Sequence, residues 1–294
     1  MTVLRIGTRG SRLALVQVEQ VVSRLRALDP GVEIQVIEIA TRGDHDQLTP
    51  LASGSGAGWF TSVLQDAVLS GEVDAAIHSY KDLPTQRPEG LVISAVPLRE
   101  DPRDALVART RMTLKQLPAG AIVGTGSPRR AEQLREMRPD LDVRSIRGNV
   151  DTRIGKVDEG EFDAAVLALA GLRRLDSEDR ATEIFGIWDM VPAPAQGALA
   201  VECRGADTDT RRRFGSIHDV AIGQAVSAER AFLAALEAGC SFPAGAYAEH
   251  FGTTIKLHGM IAPGGRVVRA KTTGPVEAAA GLGRDLAAEL LGKV

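Results

Sequence analysis

The sequence is poor in cysteine, histidine and aromatic residues, and it contains no long apolar run. Its 294 residues include two cysteines, Cys203 and Cys240, too few for the disulfide framework of a small secreted domain or for a thiolate metal site. The 5 histidines are scattered without metal-ligand spacing. Aromatics make up 4% of the chain, too few to supply the stacking platforms used by proteins that hold single-stranded nucleic acid. The formal net charge is -3, so there is no broad basic surface to track a phosphate backbone. No stretch approaches the roughly 20 apolar residues of a membrane span. Met1 runs into strand-like Val3 to Ile6 without a charged segment or apolar signal core. These absences lead to the expectation of a cytoplasmic protein that engages neither nucleic acid nor membrane.

What is present, 44% hydrophobic and 25% charged residues, suits a sizeable core divided over two or three domains. Short apolar strands alternate with helical patterns: Val3 to Ile6, a helix over Ser11 to Leu28, Glu33 to Ile39, a helix over Thr61 to Leu69, Ala75 to His78, then Leu91 to Ala95. Arg99 to Asp104 reads as a polar, proline-bearing link. The alternation then restarts with Ala105 to Ala108, Ile122 to Thr125, a helix from Pro128, Val143 to Ile146, a helix over Asp151 to Glu159, and Ala164 to Leu169. Pro192 to Gly197 looks like a stiff crossing into a further strand, Ala198 to Glu202. The remainder reads as a helix over Ile222 to Glu237, a Gly-Cys loop, a hairpin of Thr254 to Ile261 with Arg266 to Lys271, and a closing helix. The expected fold class is therefore α/β: two α/β domains with mostly parallel sheets and a cleft between them, plus a small α+β third domain. The expected spans are 1–98 with 198–216, 103–192, and 220–294.

Three constellations bear on chemistry. Gly124-Thr125-Gly126-Ser127-Pro128-Arg129-Arg130 leads from a strand into a helix whose first turn suits Pro128 and whose cap suits Ser127. Two guanidinium forks at a helix N-terminus suit an anion; the alternative is a solvated face with salt bridges to Glu132 and Glu136. His78-Ser79-Tyr80-Lys81-Asp82-Leu83-Pro84 leaves the C-terminal end of a strand, where open α/β sheets place ligands, although Asp82 ahead of Pro84 also fits a plain turn. Cys240, between Gly239 and Ser241, is either a small hydrophobe or an accessible thiol. The glycine-rich stretch Thr41 to Gly58 suits a lid. It lacks the Lys-Ser/Thr of a phosphate-binding Walker loop, and Arg129 stands where a dinucleotide fingerprint needs its third glycine.

Together with Arg5-Ile6-Gly7-Thr8-Arg9-Gly10-Ser11, Thr41-Arg42-Gly43-Asp44, Arg99-Glu100-Asp101-Pro102-Arg103-Asp104-Ala105, Ile146-Arg147-Gly148-Asn149, Ala170-Gly171-Leu172-Arg173-Arg174-Leu175, Pro194-Ala195-Gln196-Gly197-Ala198 and Gly239-Cys240, these motifs form a collinear pattern. The chain resembles the porphobilinogen deaminases, or hydroxymethylbilane synthases. The resemblance implies that the first two domains look like periplasmic binding protein lobes. It implies a transferase of tetrapyrrole biosynthesis that joins four porphobilinogens head to tail, with release of ammonia, into linear hydroxymethylbilane. It also implies a dipyrromethane cofactor, made from substrate and held by a thioether to Cys240. Carried over residue by residue, Asp82 is the catalytic carboxylate. Lys81, Asp82, Thr125, Ser127, Arg129, Arg130, Arg147 and Gly148 fall to the cofactor, and Arg9, Ser11, Arg147, Arg153, Arg174 and Gln196 to substrate. A monomer that passes its product to the next enzyme is expected. Two departures stand out: Ser53 and Ala57 replace lysines common in the lid, and Tyr80 stands where Met or Leu is commoner. The lobes and arginines alone would equally suit a non-enzymatic two-lobed binding protein for a polycarboxylate, but that reading leaves Asp82 and Cys240 without a role.

Overall fold

The computed structural model describes residues 3–40, 61–236 and 242–294. The stretch read as a lid, with Ser53 and Ala57, and the thiol of Cys240 lie outside the described residues. In chain order the elements of the first half are β1 (Leu4–Thr8), α1 (Arg12–Leu28), β2 (Ile34–Glu38), α2 (Ser62–Ser70), β3 (Ala75–Ser79), β4 (Leu91–Ala95), β5 (Asp104–Ala108), β6 (Ile122–Gly124) and α3 (Pro128–Met137). There follow β7 (Asp142–Arg144), α4 (Val150–Asp158), β8 (Ala164–Ala168), α5 (Leu169–Arg174), β9 (Glu183–Ile184), β10 (Leu199–Arg204), α6 (Thr208–Gly215), α7 (Val220–Ala235), β11 (Ala244–Phe251), β12 (Thr254–Ile261), β13 (Val268–Pro275) and α8 (Ala279–Leu291). The chain divides into two compact units, one formed by Met1–Glu100 with Ala198–Gln224, the other by Asp101–Gly197 with Ala225–Val294.

In the first unit the sheet order is β2-β1-β3-β10-β4. Strand β1 runs parallel to β2 and β3, and β10 enters antiparallel to both β3 and β4. Central strands β3 (AAIHS) and β10 (LAVECR) are buried almost throughout, which is why they read as continuous apolar runs instead of alternating ones. Helix α1 starts where the Ser11 side chain accepts the Ala14 N–H, and it buries Val18, Val21, Val22 and Leu25 as one stripe. That stripe packs with Ile6, Ile77, Val201 and Phe214 in the main core of this unit.

The second unit repeats the arrangement. Its larger sheet has the order β7-β6-β8-β5-β9, with β6 parallel to β7 and β8, and β5 antiparallel to β8 and β9. Leu106, Val123, Leu134, Val166 and Met190 form its core. The same unit holds an antiparallel sheet β11-β12-β13, whose Ile255 and Leu257 pack with Phe232, Leu286 and Leu290 of α7 and α8. Gly283 lets α8 approach α7, since a Cβ there would clash with the Ala228 carbonyl oxygen. Arg269 of β13 makes a two-pronged ion pair with Glu136 of α3, at 2.9 and 2.6 Å.

Four sequence expectations need correction. The C-terminal sheet has three strands: β11 was not expected because Ala244 to Ala248 is rich in alanine and glycine, which carry little strand propensity. The strand expected to reach Leu169 ends at Ala168, where α5 begins, and β7 ends at Arg144 instead of Ile146. Asp104 belongs to no polar link: it is the first residue of β5 and is 0% exposed.

Candidate active site

In the second unit the parallel strands β6, β7 and β8 end side by side, and antiparallel β5 begins at that same end, with Asp104 opposite Ala168. Carboxyl ends of such strands, with the helix N-termini that follow, are where α/β sheets bind ligands. Thr125, Ser127, Arg129 and Arg130 follow β6, Arg147, Gly148 and Arg153 follow β7, and Arg174 follows β8. Every arginine expected at this site in this half of the chain thus follows one of these neighbouring strand ends.

Ser127 stands at the N-cap of α3 with Pro128 in the first turn, but its hydroxyl makes no capping bond. Its N–H instead donates to Thr125 Oγ1 at 3.2 Å, so Thr125 shapes the turn. The pairing of β6 with β7 extends into this turn: Thr125 N–H donates to the Arg144 carbonyl at 2.9 Å. Gly148 adopts φ +108°, and a Cβ there would meet Thr152 Cγ2 at 2.6 Å, so both backbone and space demand glycine. That turn lets Asn149 cap α4, accepting the Thr152 N–H at 2.8 Å. Arg153 Nε donates back to the Gly148 carbonyl at 2.8 Å. Arg147 and Arg153 remain half-buried.

Arg129 and Arg130 differ from the sequence expectation. They are 4% and 6% exposed. The glutamates proposed as their surface partners are engaged elsewhere, Glu132 with Arg135 and Glu136 with Arg269. It is Asp104 that faces both arginines: Oδ2 lies 2.7 Å from Arg129 Nη1, and Oδ1 2.7 Å from Arg130 Nη2. Gln196, 0% exposed, donates to Asp104 Oδ1 at 2.8 Å and to the Pro102 carbonyl at 2.7 Å. Val191 and Val166 carbonyls accept from Arg129 and Arg130, and Arg174 Nη2 donates to the Gly197 carbonyl at 2.8 Å. Arg129 Nε stays buried without a hydrogen-bond partner. Burial alone would raise the Asp104 pKa, but the two guanidiniums overcome that and hold it far below the usual carboxylate range. Burial pulls Arg129 below the ordinary arginine value, and Asp104 opposes the shift. Asp104 is the residue that sequence reasoning missed. The available signal was an acid directly ahead of the fully apolar run Ala105 to Ala108.

In the first unit, Arg9 and Ser11 follow β1, and Lys81 and Asp82 follow its parallel neighbour β3, so these four share one end of one sheet. The Ser11 hydroxyl is used as the cap of α1, accepting from Ala14 N–H at 3.3 Å. Lys81 and Asp82 lie in a short 3-10 turn, Tyr80–Asp82, with Asp82 exposed and Lys81 half-buried. The turn is anchored by Tyr80 N–H donating to the Ala198 carbonyl at 2.9 Å. Just before it, Ser79 exchanges hydrogen bonds with the Gln17 amide at 2.8 and 3.1 Å.

Among the described residues, no helix is long and apolar enough to cross a membrane, and no group of three or more His, Cys, Asp or Glu is placed to hold a metal ion. Residues 4–212 match the family model described as porphobilinogen deaminase, dipyromethane cofactor binding domain, and residues 224–292 match the porphobilinogen deaminase C-terminal domain. The porphobilinogen deaminase of Acidothermus cellulolyticus is 48% identical over 99% of this chain and 89% of its own length. Porphobilinogen deaminase 1 of Streptomyces coelicolor is 48% identical over 98% of this chain and 94% of its own. The solved methionine binding protein MetQ is 10% identical, with a TM-score of 0.47 over 73% of this chain and 89% of that one. Motif order, the arginine-lined strand ends and near-full-length identity agree: the chain belongs to the porphobilinogen deaminase family.

Proposed function

We propose that this chain carries out the family's reaction: head-to-tail condensation of four porphobilinogens, with loss of ammonia, into linear hydroxymethylbilane. The observation that carries the reading is the set of arginines gathered at one end of β6, β7 and β8 in a chain of this family. Every pyrrole unit of the substrate bears an acetate and a propionate, so the product accumulates negative charge that fixed cations must offset. Arginine suits that task because its fork stays charged and binds carboxylates through two hydrogen bonds. Arg147, Arg153 and Arg9, half-buried, are assigned to carboxylate binding, with Ser11, Arg174 and Gln196 completing the substrate set.

The dipyrromethane, when bound, supplies the pyrrole α-carbon to which the first substrate is joined. Its donor set fits: Arg129 offers a buried Nε with no hydrogen-bond partner, a group suited to a carboxylate, and Thr125, Ser127 and Gly148 stand in the loops that follow β6 and β7. Lys81, Arg130 and Arg147 add positive charge, and Cys240 is assigned to the thioether. Asp82 is assigned to hold pyrrole N–H groups and to stabilise the positive charge that develops on substrate as ammonia leaves. A carboxylate at that exposed turn is also able to take up or deliver the protons of the step.

The three-domain division 1–98 with 198–216, 103–192, and 220–294 is the one we adopt, supported by three separate sheets. A monomeric cytoplasmic enzyme that hands its product to a following enzyme completes the reading. A non-enzymatic polycarboxylate binder is not favoured by the family membership. The decisive experiment replaces Asp82 by Asn. Because the side chain is exposed, stability should move by no more than about 0.5 kcal/mol, while kcat should fall on the order of 100-fold or more. Near-normal turnover would remove Asp82 from the chemistry.

A further inference from the structure

Among the described residues, the buried Glu202 has no part in the proposed chemistry. Glu202 lies in β10, between β3 and β4, and is 0% exposed. Its Oε1 accepts from Gln65 Nε2 of α2 at 3.1 Å and lies 3.3 Å from Arg87 Nε. Its Oε2 lies 3.3 Å from Nε2 of the buried His78, without a well-aligned hydrogen bond at either atom. A carboxylate inside a sheet is costly, and a well-packed apolar residue of similar volume often serves stability as well or better. Retaining the charge therefore asks for another use.

The positions of its partners supply one. His78 precedes Asp82 by four residues and Arg87 follows it by five. Both ends of the segment 78–87, which carries Lys81 and Asp82, thus meet one carboxylate, Arg87 as an ion pair and His78 by close approach without a hydrogen bond. Between these ends the segment is closed on itself: Leu83 N–H donates to the Tyr80 carbonyl at 3.3 Å, and Leu83 is buried at 4% exposure. Gln65 adds a further tie, to the helix α2 packed beside the same sheet. We infer that Glu202 is a positioning residue for Asp82, a clamp at the base of its loop that fixes where the exposed carboxylate stands. The inference rests on the assignment of Asp82 to catalysis made above.

The test uses the full-length holoprotein with Glu202→Gln, Arg87→Gln, both together, and Asp82→Asn in parallel. Misplacing a catalytic group by about 1 Å costs on the order of 100-fold in rate, so kcat should fall 10- to 100-fold in either clamp variant while KM changes little. Hydrogen exchange followed by mass spectrometry should quicken in 78–87 and stay unchanged in the rest of the first unit. The double variant should be no slower than the worse single one, because both remove the same tie. Should Glu202→Gln fail to fold, Arg87→Gln decides, since Arg87 lies at the surface. Normal kcat with unchanged exchange in Arg87→Gln, beside an inactive Asp82→Asn, overturns the clamp and leaves the Asp82 assignment standing. Exchange quickened evenly across the unit, with kcat and KM moving together, also overturns it. An active Asp82→Asn removes both.

Discussion

Asp104 and Arg130 are joined through a single oxygen: Asp104 Oδ1 accepts from Arg130 Nε at 3.0 Å and from Nη2 at 2.7 Å. The other oxygen is given to Arg129. One carboxylate thus orders two guanidiniums without cancelling their charge, so the trio remains net positive. Side chains with three or four rotatable bonds are held at fixed positions before any ligand arrives, which lowers the entropy lost when one binds.

Asp104→Asn should destabilise the protein by about 3–5 kcal/mol, the usual cost of stripping one partner from a buried ion pair. Urea unfolding monitored by far-UV circular dichroism measures this, and a loss below about 1 kcal/mol would show that the pair is not a structural support. The same residue sets an acid limit. Its folded-state pKa is depressed, so its contribution is fully present above the ordinary carboxylate value of 3.8. It declines as pH drops below that value and is gone once pH has passed the depressed folded one. In Asp104→Asn that part of the acid slope should disappear.

Arginines at the same sheet end should separate into two classes. Arg130→Gln should lower the thermal midpoint sharply, because it leaves Asp104 buried without one of its cations. Arg147→Gln should leave the midpoint nearly unchanged and raise KM for porphobilinogen about 10-fold or more, the loss expected from one charge-assisted hydrogen bond of about 1.5–3 kcal/mol. Steady-state kinetics beside differential scanning calorimetry distinguish the two. Equal effects on midpoint and KM in both variants would contradict the division.

Cys240 is tested by mass. The sequence mass is 31.2 kDa, and intact purified protein should exceed it by one dipyrromethane. Cys240→Ala should abolish both the increment and turnover. An unmodified, active wild-type protein would refute the thioether.

The alternation of strands and helices was legible because central strands such as β3 and β10 are buried on both faces and read as apolar runs. Ser11 and Pro128 marked the starts of α1 and α3 through local backbone chemistry. The arginines were legible as a group because the strand ends fall close together in sequence. Their shared partner was not: Asp104 precedes Arg129 by 25 residues, and only the pairing of β5 with β8 carries it to the far ends of β6 and β8. Glu202 was hidden for the same reason, since it meets Gln65 across 137 residues of chain. Strand β11 escaped because its stability comes from pairing with β12 and not from its own residues.

The antiparallel strand β10 also fixes an order of assembly during synthesis. In the first sheet β4 is an edge strand whose neighbour is β10, and β10 begins only at Leu199. The second sheet draws all five strands from Asp104 to Ile184. A growing chain therefore holds every strand of the second sheet while β4, made earlier, still waits for a partner. Of these two sheets, the one that begins first is completed second, and a ribosome that pauses just before Leu199 exposes an unpaired strand edge to its surroundings.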